Sequence, residues 1–114
     1  MHELAITQSV VDMVVERMAG RRIATVRVRV GELSGVVPDA MLFCYDLVTA
    51  GTDLEGSRLE IECTPGRAHC RDCGRDFAVP DLIMLCPCGS ADVQLLAGKE
   101  LEVATVELMA EPCA

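Results

Sequence analysis

Two short clips of cysteine, Cys70-Arg71-Asp72-Cys73-Gly74 and Cys86-Pro87-Cys88-Gly89, constrain this chain more than any other feature. Once one sulfur of a clip holds a cation, the other closes a small ring around it, and Gly74 and Gly89 permit the positive φ that such turns need. The spacing predicts one tetrahedral centre of Cys70, Cys73, Cys86 and Cys88. It replaces a hydrophobic core that roughly thirty residues cannot build alone. A four-thiolate site in a reducing compartment is more often zinc, with iron as the competing ion. The second clip is one residue shorter than the first, so its turn must differ. Cys88, directly before a turn glycine, is the preferred fourth ligand, with His69 and Cys63 as alternatives. Four protein ligands leave no position for water, which makes the ion a structural staple and argues against hydrolytic zinc chemistry.

The remaining chain is short. At 114 residues it is long enough for one compact domain with a small insert. The longest stretch without a charge, Leu82 to Ala91, is ten residues and contains Pro87 and Gly89, far short of the ~20 apolar residues that span a bilayer. Glu3, Asp12 and Glu16 interrupt any secretory signal at the amino terminus, so the expected compartment is cytoplasmic and the thiols are expected to be reduced. A formal net charge of −8 repels a phosphate backbone and excludes nucleic acid as an evident partner.

Periodicity supplies the scaffold. Val10, Val11, Met13, Val14, Val15 and Met18 recur at helical spacing, predicting an amphipathic helix over about 4–19 that Gly20 ends. Val26, Val28 and Val30 alternate with Arg27 and Arg29 and predict a strand. Pro38 opens a second helix with Met41, Leu42, Tyr45 and Val48 as its stripe, and Gly51 closes it. Leu59, Ile61 and Cys63 alternate along a second strand, and residues 101–108 form a third. The expected class is α+β, with a small mixed three-stranded sheet carrying two helices on one face. A zinc-ribbon-like, four-cysteine insert over 65–97 would interrupt a domain made of 1–64 and 98–114. Cys44 and Cys63 are expected to pack as small apolar residues, and Cys113 to be an unpaired tail thiol.

A second chemistry sits at the start. His is large, so a cell retains the preceding Met1, and its amine, the amide nitrogen of His2 and His2 Nδ1 can chelate one ion through adjacent five- and six-membered rings. Planar nitrogen ligation of that kind suits nickel(II) or copper(II). The Glu3 amide or a nearby carboxylate could complete it. The plainer reading is a histidine that happens to follow a start methionine.

The chain resembles the HypA/HybF family of hydrogenase nickel-insertion accessory proteins. The likeness rests on Met1-His2-Glu3-Leu4, on Val30-Gly31-Glu32-Leu33-Ser34, on Leu42-Phe43-Cys44-Tyr45-Asp46-Leu47-Val48 and on paired cysteines in a late insert, and it runs over nearly the whole length. It implies a non-catalytic nickel metallochaperone that works with the nickel GTPase HypB to load the [NiFe]-hydrogenase large subunit. Nickel(II) would be the transported ion, held at Met1, His2 and Glu3, and zinc(II) the structural one, held at Cys70, Cys73, Cys86 and Cys88. Asp39 stands where some members have an acidic residue near nickel. The family's second clip is Cys-x-x-Cys, and this chain departs from it. Monomer and homodimer both agree with the sequence.

Two other classes compete. A zinc-ribbon interaction module without transported metal would leave His2 as a surface residue. An enzyme is the weakest reading: His2 and His69 are the only histidines, and with the clip cysteines committed to a metal no nucleophile and base pair is evident.

Overall fold

A computed structural model describes residues 2–110. Helix α1 spans His2–Met18, strand β1 Ile23–Gly31, helix α2 Pro38–Thr49 and strand β2 Arg58–Thr64. Three short strands follow, β3 Arg67–Cys70, β4 Asp76–Ala78 and β5 Val93–Ala97, and then β6 Leu101–Leu108. The strands form two three-stranded sheets, ordered β2-β1-β6 and β4-β3-β5. By backbone proximity the chain divides into two units, one of 1–28, 37–61 and 103–114, the other of 29–36 and 62–102.

The first sheet is mixed. Arg27 reaches Glu60 and Arg29 reaches Glu62, a constant offset that makes β1 and β2 parallel, whereas Arg27 meets Glu107 and Arg29 meets Glu102, the reversed order of an antiparallel β6. These exposed ion pairs mark the wet face and contribute little, about 0–1 kcal/mol each. The opposite face of β1 is aliphatic, with Val26 and Val28 sealed from solvent, and α1 and α2 pack against each other in the same unit. Tyr45, Met41, Leu54 and Ile23 fill its core beside Val10, Val11 and Val14. The Tyr45 hydroxyl and the Ser57 hydroxyl are 2.6 Å apart, which satisfies the one polar atom this aromatic carries inward.

The second unit is sparser. Leu33, Ala68 and Val79 form its buried cluster, with Phe77, Met84, Val93 and Leu95 packed around it. Strand β3 is central: Ala68 lies opposite Phe77 on β4 and opposite Leu95 on β5, both antiparallel, with an irregularity between Arg67 and Ala68. Its chains approach closely where side chains are absent. A Cβ built on Gly31 would stand 2.0 Å from the Gly98 carbonyl oxygen, and one on Gly66 2.3 Å from that of Val79.

Several sequence expectations need correction. Helix α1 begins at His2 rather than at residue 4, and its buried stripe starts with Glu3 and Thr7, while Met13 is exposed. Burial on α2 follows Met41, Tyr45 and Thr49, an i, i+4, i+8 line that leaves Leu42 exposed and Val48 half-buried. Thr49 is tolerated inside because its hydroxyl donates to the Tyr45 carbonyl at 2.8 Å. Cys63 is exposed near the end of β2 instead of packing inward; Cys44 is half-buried. Three short strands, which periodicity did not resolve, run through the insert. The expectation for Cys113 lies outside the described residues.

The close approach at Gly31 yields a test. Gly31→Ala should destabilise the protein by about 3 kcal/mol, since the clash is with backbone and no side chain can move aside. Leu82→Ser, on an exposed loop, should change stability by less than ~0.5 kcal/mol. Urea unfolding of both variants measures the difference, and equal midpoints would contradict the packing described.

Candidate metal sites

The four clip cysteines converge. Their Sγ atoms all lie within 4.8 Å of one another, with Cys70 and Cys88 3.7 Å apart and Cys73 and Cys86 3.6 Å apart. A tetrahedron with metal–sulfur bonds of ~2.3 Å has edges of ~3.8 Å, so this donor set fits a zinc-sized ion with little adjustment. Cys70 comes from the end of β3 and the other three from turns. Cys70 and Cys86 are buried, Cys73 and Cys88 exposed.

Each clip is organised by its own backbone. In the first, the Cys73 N–H points at Cys70 Sγ at 3.4 Å and the Gly74 N–H donates to the Cys70 carbonyl at 2.9 Å. The shorter clip repeats this logic one residue earlier: the Cys88 N–H points at Cys86 Sγ at 3.5 Å, and the Gly89 N–H donates to the Cys86 carbonyl at 2.8 Å. Gly74 and Gly89 adopt φ of 77° and 94°, which close the two turns. The Ser90 hydroxyl then donates to the Asp72 carboxylate and ties one clip to the other. The missing residue thus changes the turn without removing Cys88 from the cluster. His69 turns elsewhere, its Nδ1 2.6 Å from Asp76 Oδ1, and neither it nor Cys63 belongs to the group of four.

Metal-free, the thiols share protons unequally. The Cys73 N–H, aided by further backbone and thiol donors, outweighs burial and lowers Cys70 to about 6. At Cys86 the Cys88 N–H lowers the thiol, but burial and the neighbouring sulfurs overcome it and raise the group to about 12. One thiolate is therefore ready to take a cation near neutral pH. An open groove of about 580 Å³, lined in part by Cys73, Cys88, Phe77 and Arg75, gives solvent access to the exposed sulfurs.

The amino-terminal candidate stands on α1. His2 is the first described residue of the helix, its side chain is 57% exposed, and its Nδ1 lies 3.3 Å from Glu3 Oε2. Glu3 is buried and its Oε2 also accepts the Val37 N–H at 3.4 Å. Val37 is the N-cap residue of α2, and its side chain offers no cap; the carboxylate from α1 accepts the N-cap's own N–H, near the positive end of the helix. Thr7 completes the first turn by donating its hydroxyl to the Glu3 carbonyl at 2.5 Å. Asp39 is exposed in the first turn of α2. Met1 lies outside the described residues. The pairing of Glu3 with Val37 was missed in the sequence. Extending the helical stripe back from Val10 and Val11 through Thr7 to Glu3 would have flagged the carboxylate as buried.

A family model described as hydrogenase/urease nickel incorporation, metallochaperone, hypA, matches residues 1–108. The chain belongs to the HypA family. The hydrogenase maturation factor HypA of Geobacter metallireducens is 46% identical over 109 residues, covering 95% of this chain and 99% of that one. Its counterpart in Geobacter sulfurreducens is 47% identical over the same length, with the same coverage. The fold is that of the solution structure of the Ni metallochaperone HypA from Helicobacter pylori, at a TM-score of 0.66, 21% identity, and coverage of 96% of this chain and 98% of that one. HypA proteins are maturation factors rather than enzymes, and this one is a nickel-incorporation metallochaperone of hydrogenase maturation carrying a four-cysteine metal-binding site. Among the described residues no helix is long and apolar enough to cross a membrane.

Two measurements follow. Stripping metal with a strong chelator under reducing conditions should remove on the order of 10 kcal/mol of apparent binding free energy and speed amide exchange in β3 and β5, leaving α1 protected. Unchanged exchange at Cys70 and Val93 would show that the cluster does not depend on an ion. The second concerns Glu3. Burial raises its carboxyl, but its own N–H, the Val37 N–H and the His2 imidazole together prevail and hold it below the ordinary carboxylate range. A depressed group stabilises the folded state above the usual carboxylate pKa and loses that contribution as pH falls through its folded value. The Val37 amide resonance of metal-free protein should therefore titrate with a midpoint below ~4.3. A midpoint above that would overturn the assignment.

Proposed function

We propose that this chain carries nickel(II) on a chelate at its amino terminus and surrenders it during maturation of the [NiFe]-hydrogenase large subunit, together with the GTPase HypB, in the cytoplasm. The observation that carries this reading is His2: an exposed imidazole on the first turn of α1, beside a buried carboxylate, in a chain of the nickel-incorporating HypA family. Backbone N–H groups in a helix's first turn have no intrahelical acceptor. An amide nitrogen there can lose its proton to nickel without unravelling the helix behind it. The Met1 amine, the His2 amide and His2 Nδ1 form the chelate; the Glu3 amide nitrogen completes it, and Asp39, two residues beyond Val37, stands as a candidate carboxylate donor.

The division of labour follows from the donors. Cys70, Cys73, Cys86 and Cys88 hold zinc as a structural ion, filling all its positions with thiolate in a module of about residues 65–97. That domain interrupts a nickel-binding domain of 1–64 and 98–114. Nitrogen and carboxylate donors at a chain end leave an open edge, so a receiving protein can replace them one at a time. A module that only docks partners is the second reading, favoured by the exposed Leu82, Ile83 and Leu85 before Cys86.

Calorimetry of untagged protein separates the two. Nickel should bind the native chain and be lost in His2→Ala, or when one residue precedes Met1, while zinc content is unchanged. Amine, amide and imidazole all compete with protons, so affinity should fall ~10-fold or more for each unit of pH lost below neutrality. Nickel affinity that ignores both His2→Ala and pH would reject the amino-terminal chelate.

A further inference from the structure

One oxygen atom joins the nickel end of the chain to a second helix. Glu3 Oε2 lies 3.3 Å from His2 Nδ1 and 3.4 Å from the Val37 nitrogen, so the imidazole and the N-cap amide that precedes α2 share a single acceptor. Val37 has no side-chain cap to offer the amides that follow it, and the carboxylate from α1 accepts the N–H of Val37 itself, as the acidic partner of a capping box does. The contact sits at the dipole's positive end, where a negative charge is favourable. Glu3 is itself anchored, buried among unit 1 residues with its carbonyl held by Thr7. From α2 project Leu42, Phe43 and Leu47, all exposed.

We infer that Glu3 is a positioning residue that couples nickel occupancy to the amino-terminal end of α2. The inference rests on the nickel reading above, with Nδ1 as a ligand atom. A cation on Nδ1 takes the position that Glu3 Oε2 faces in the metal-free chain, whichever tautomer the ring holds there. The carboxylate must then redistribute among the cation, the Val37 N–H and its own N–H, and the Val37 hydrogen bond changes with it. A residue serving only as a cap would keep that bond constant. Because coupling is reciprocal, a partner gripping α2 would feel whether nickel is aboard, and its grip would alter nickel affinity by the same factor.

The test is a nickel titration of uniformly ¹⁵N-labelled, zinc-loaded full-length protein, following the His2 ring and the amides of Val37, Asp39 and Val26. The expected result is that the Val37 amide shifts in step with the His2 signals while Val26, sealed in β1, stays still. In protein with one glycine placed before Met1, neither His2 nor Val37 should respond. In Glu3→Gln, whose amide oxygen can still accept from Val37 but bears no charge, nickel should still move His2 and the nickel-dependent Val37 shift should shrink by at least half. His2 moving while Val37 stays fixed in the native chain would overturn the coupling and leave the nickel reading intact. His2 not moving at all would overturn the nickel reading itself.

Discussion

Thiolates repel one another, and four of them held within 4.8 Å stay together only if a cation neutralises them or protons do. Without the ion the protons divide unevenly: the Cys73 N–H drives Cys70 down, whereas at Cys86 the Cys88 N–H is outweighed by burial and the neighbouring sulfurs, which drive the thiol up. The surrounding unit cannot impose the geometry by packing. Its buried cluster is Leu33, Ala68 and Val79, too few methyl groups to hold two loops against charge repulsion. What it contributes is direction: N–H groups of Cys73 and Cys88 aimed at sulfur, and glycines that let both turns close. A divalent ion held there would do for this unit what Tyr45, Met41 and the valines do for the other.

The two candidate sites differ in how they answer the same problem of an ion in a small protein. At the cysteines every donor is soft, anionic and tied into a turn, so release requires the unit to open. At the amino terminus the donors we propose are borderline nitrogen, held by one helical turn with an exposed imidazole, so release requires only that a receiving protein exchange the ligands one at a time. On this reading, stability of the fold is attached to the first and not to the second. A carrier built the other way round would unfold each time it delivered its cargo.

Much of this was legible in the sequence, and the misses have physical reasons. Alternation of Val26, Val28 and Val30 located β1 because one face of that strand is dry and the other carries the Arg27 and Arg29 ion pairs. Pro38 located the start of α2 because a first-turn residue needs no N–H. The stripe of α2 was misread because Leu42 is apolar yet exposed, whereas Thr49 is polar yet buried and satisfied by the Tyr45 carbonyl. Cys63 was misplaced by extending β2's alternation to an end where burial fades. Strands β3 to β5 escaped notice because three to five residues flanked by turns show too little periodicity, and Ala68, paired with both neighbouring strands, is too small to stand out as a core residue. The clips themselves read directly, since metal chelation depends on local spacing rather than on tertiary context.

Glu3 shows why local reading stops short of the amino-terminal site. Beside His2 it looks like one more donor in a chelating tripeptide. In the fold its carboxylate is buried, and it accepts an N–H that lies thirty-four residues away, at Val37. A carboxylate committed to a helix end is more firmly placed than one on a loose tail, which lowers the entropy lost when nearby groups gather round an ion. It also binds less freely, since whatever it gives to a cation it must withdraw from α2. In the carrier we propose, such a residue serves better than a stronger ligand would: it orients the imidazole while keeping a competing use for its own charge, and that competition would favour surrender of the ion.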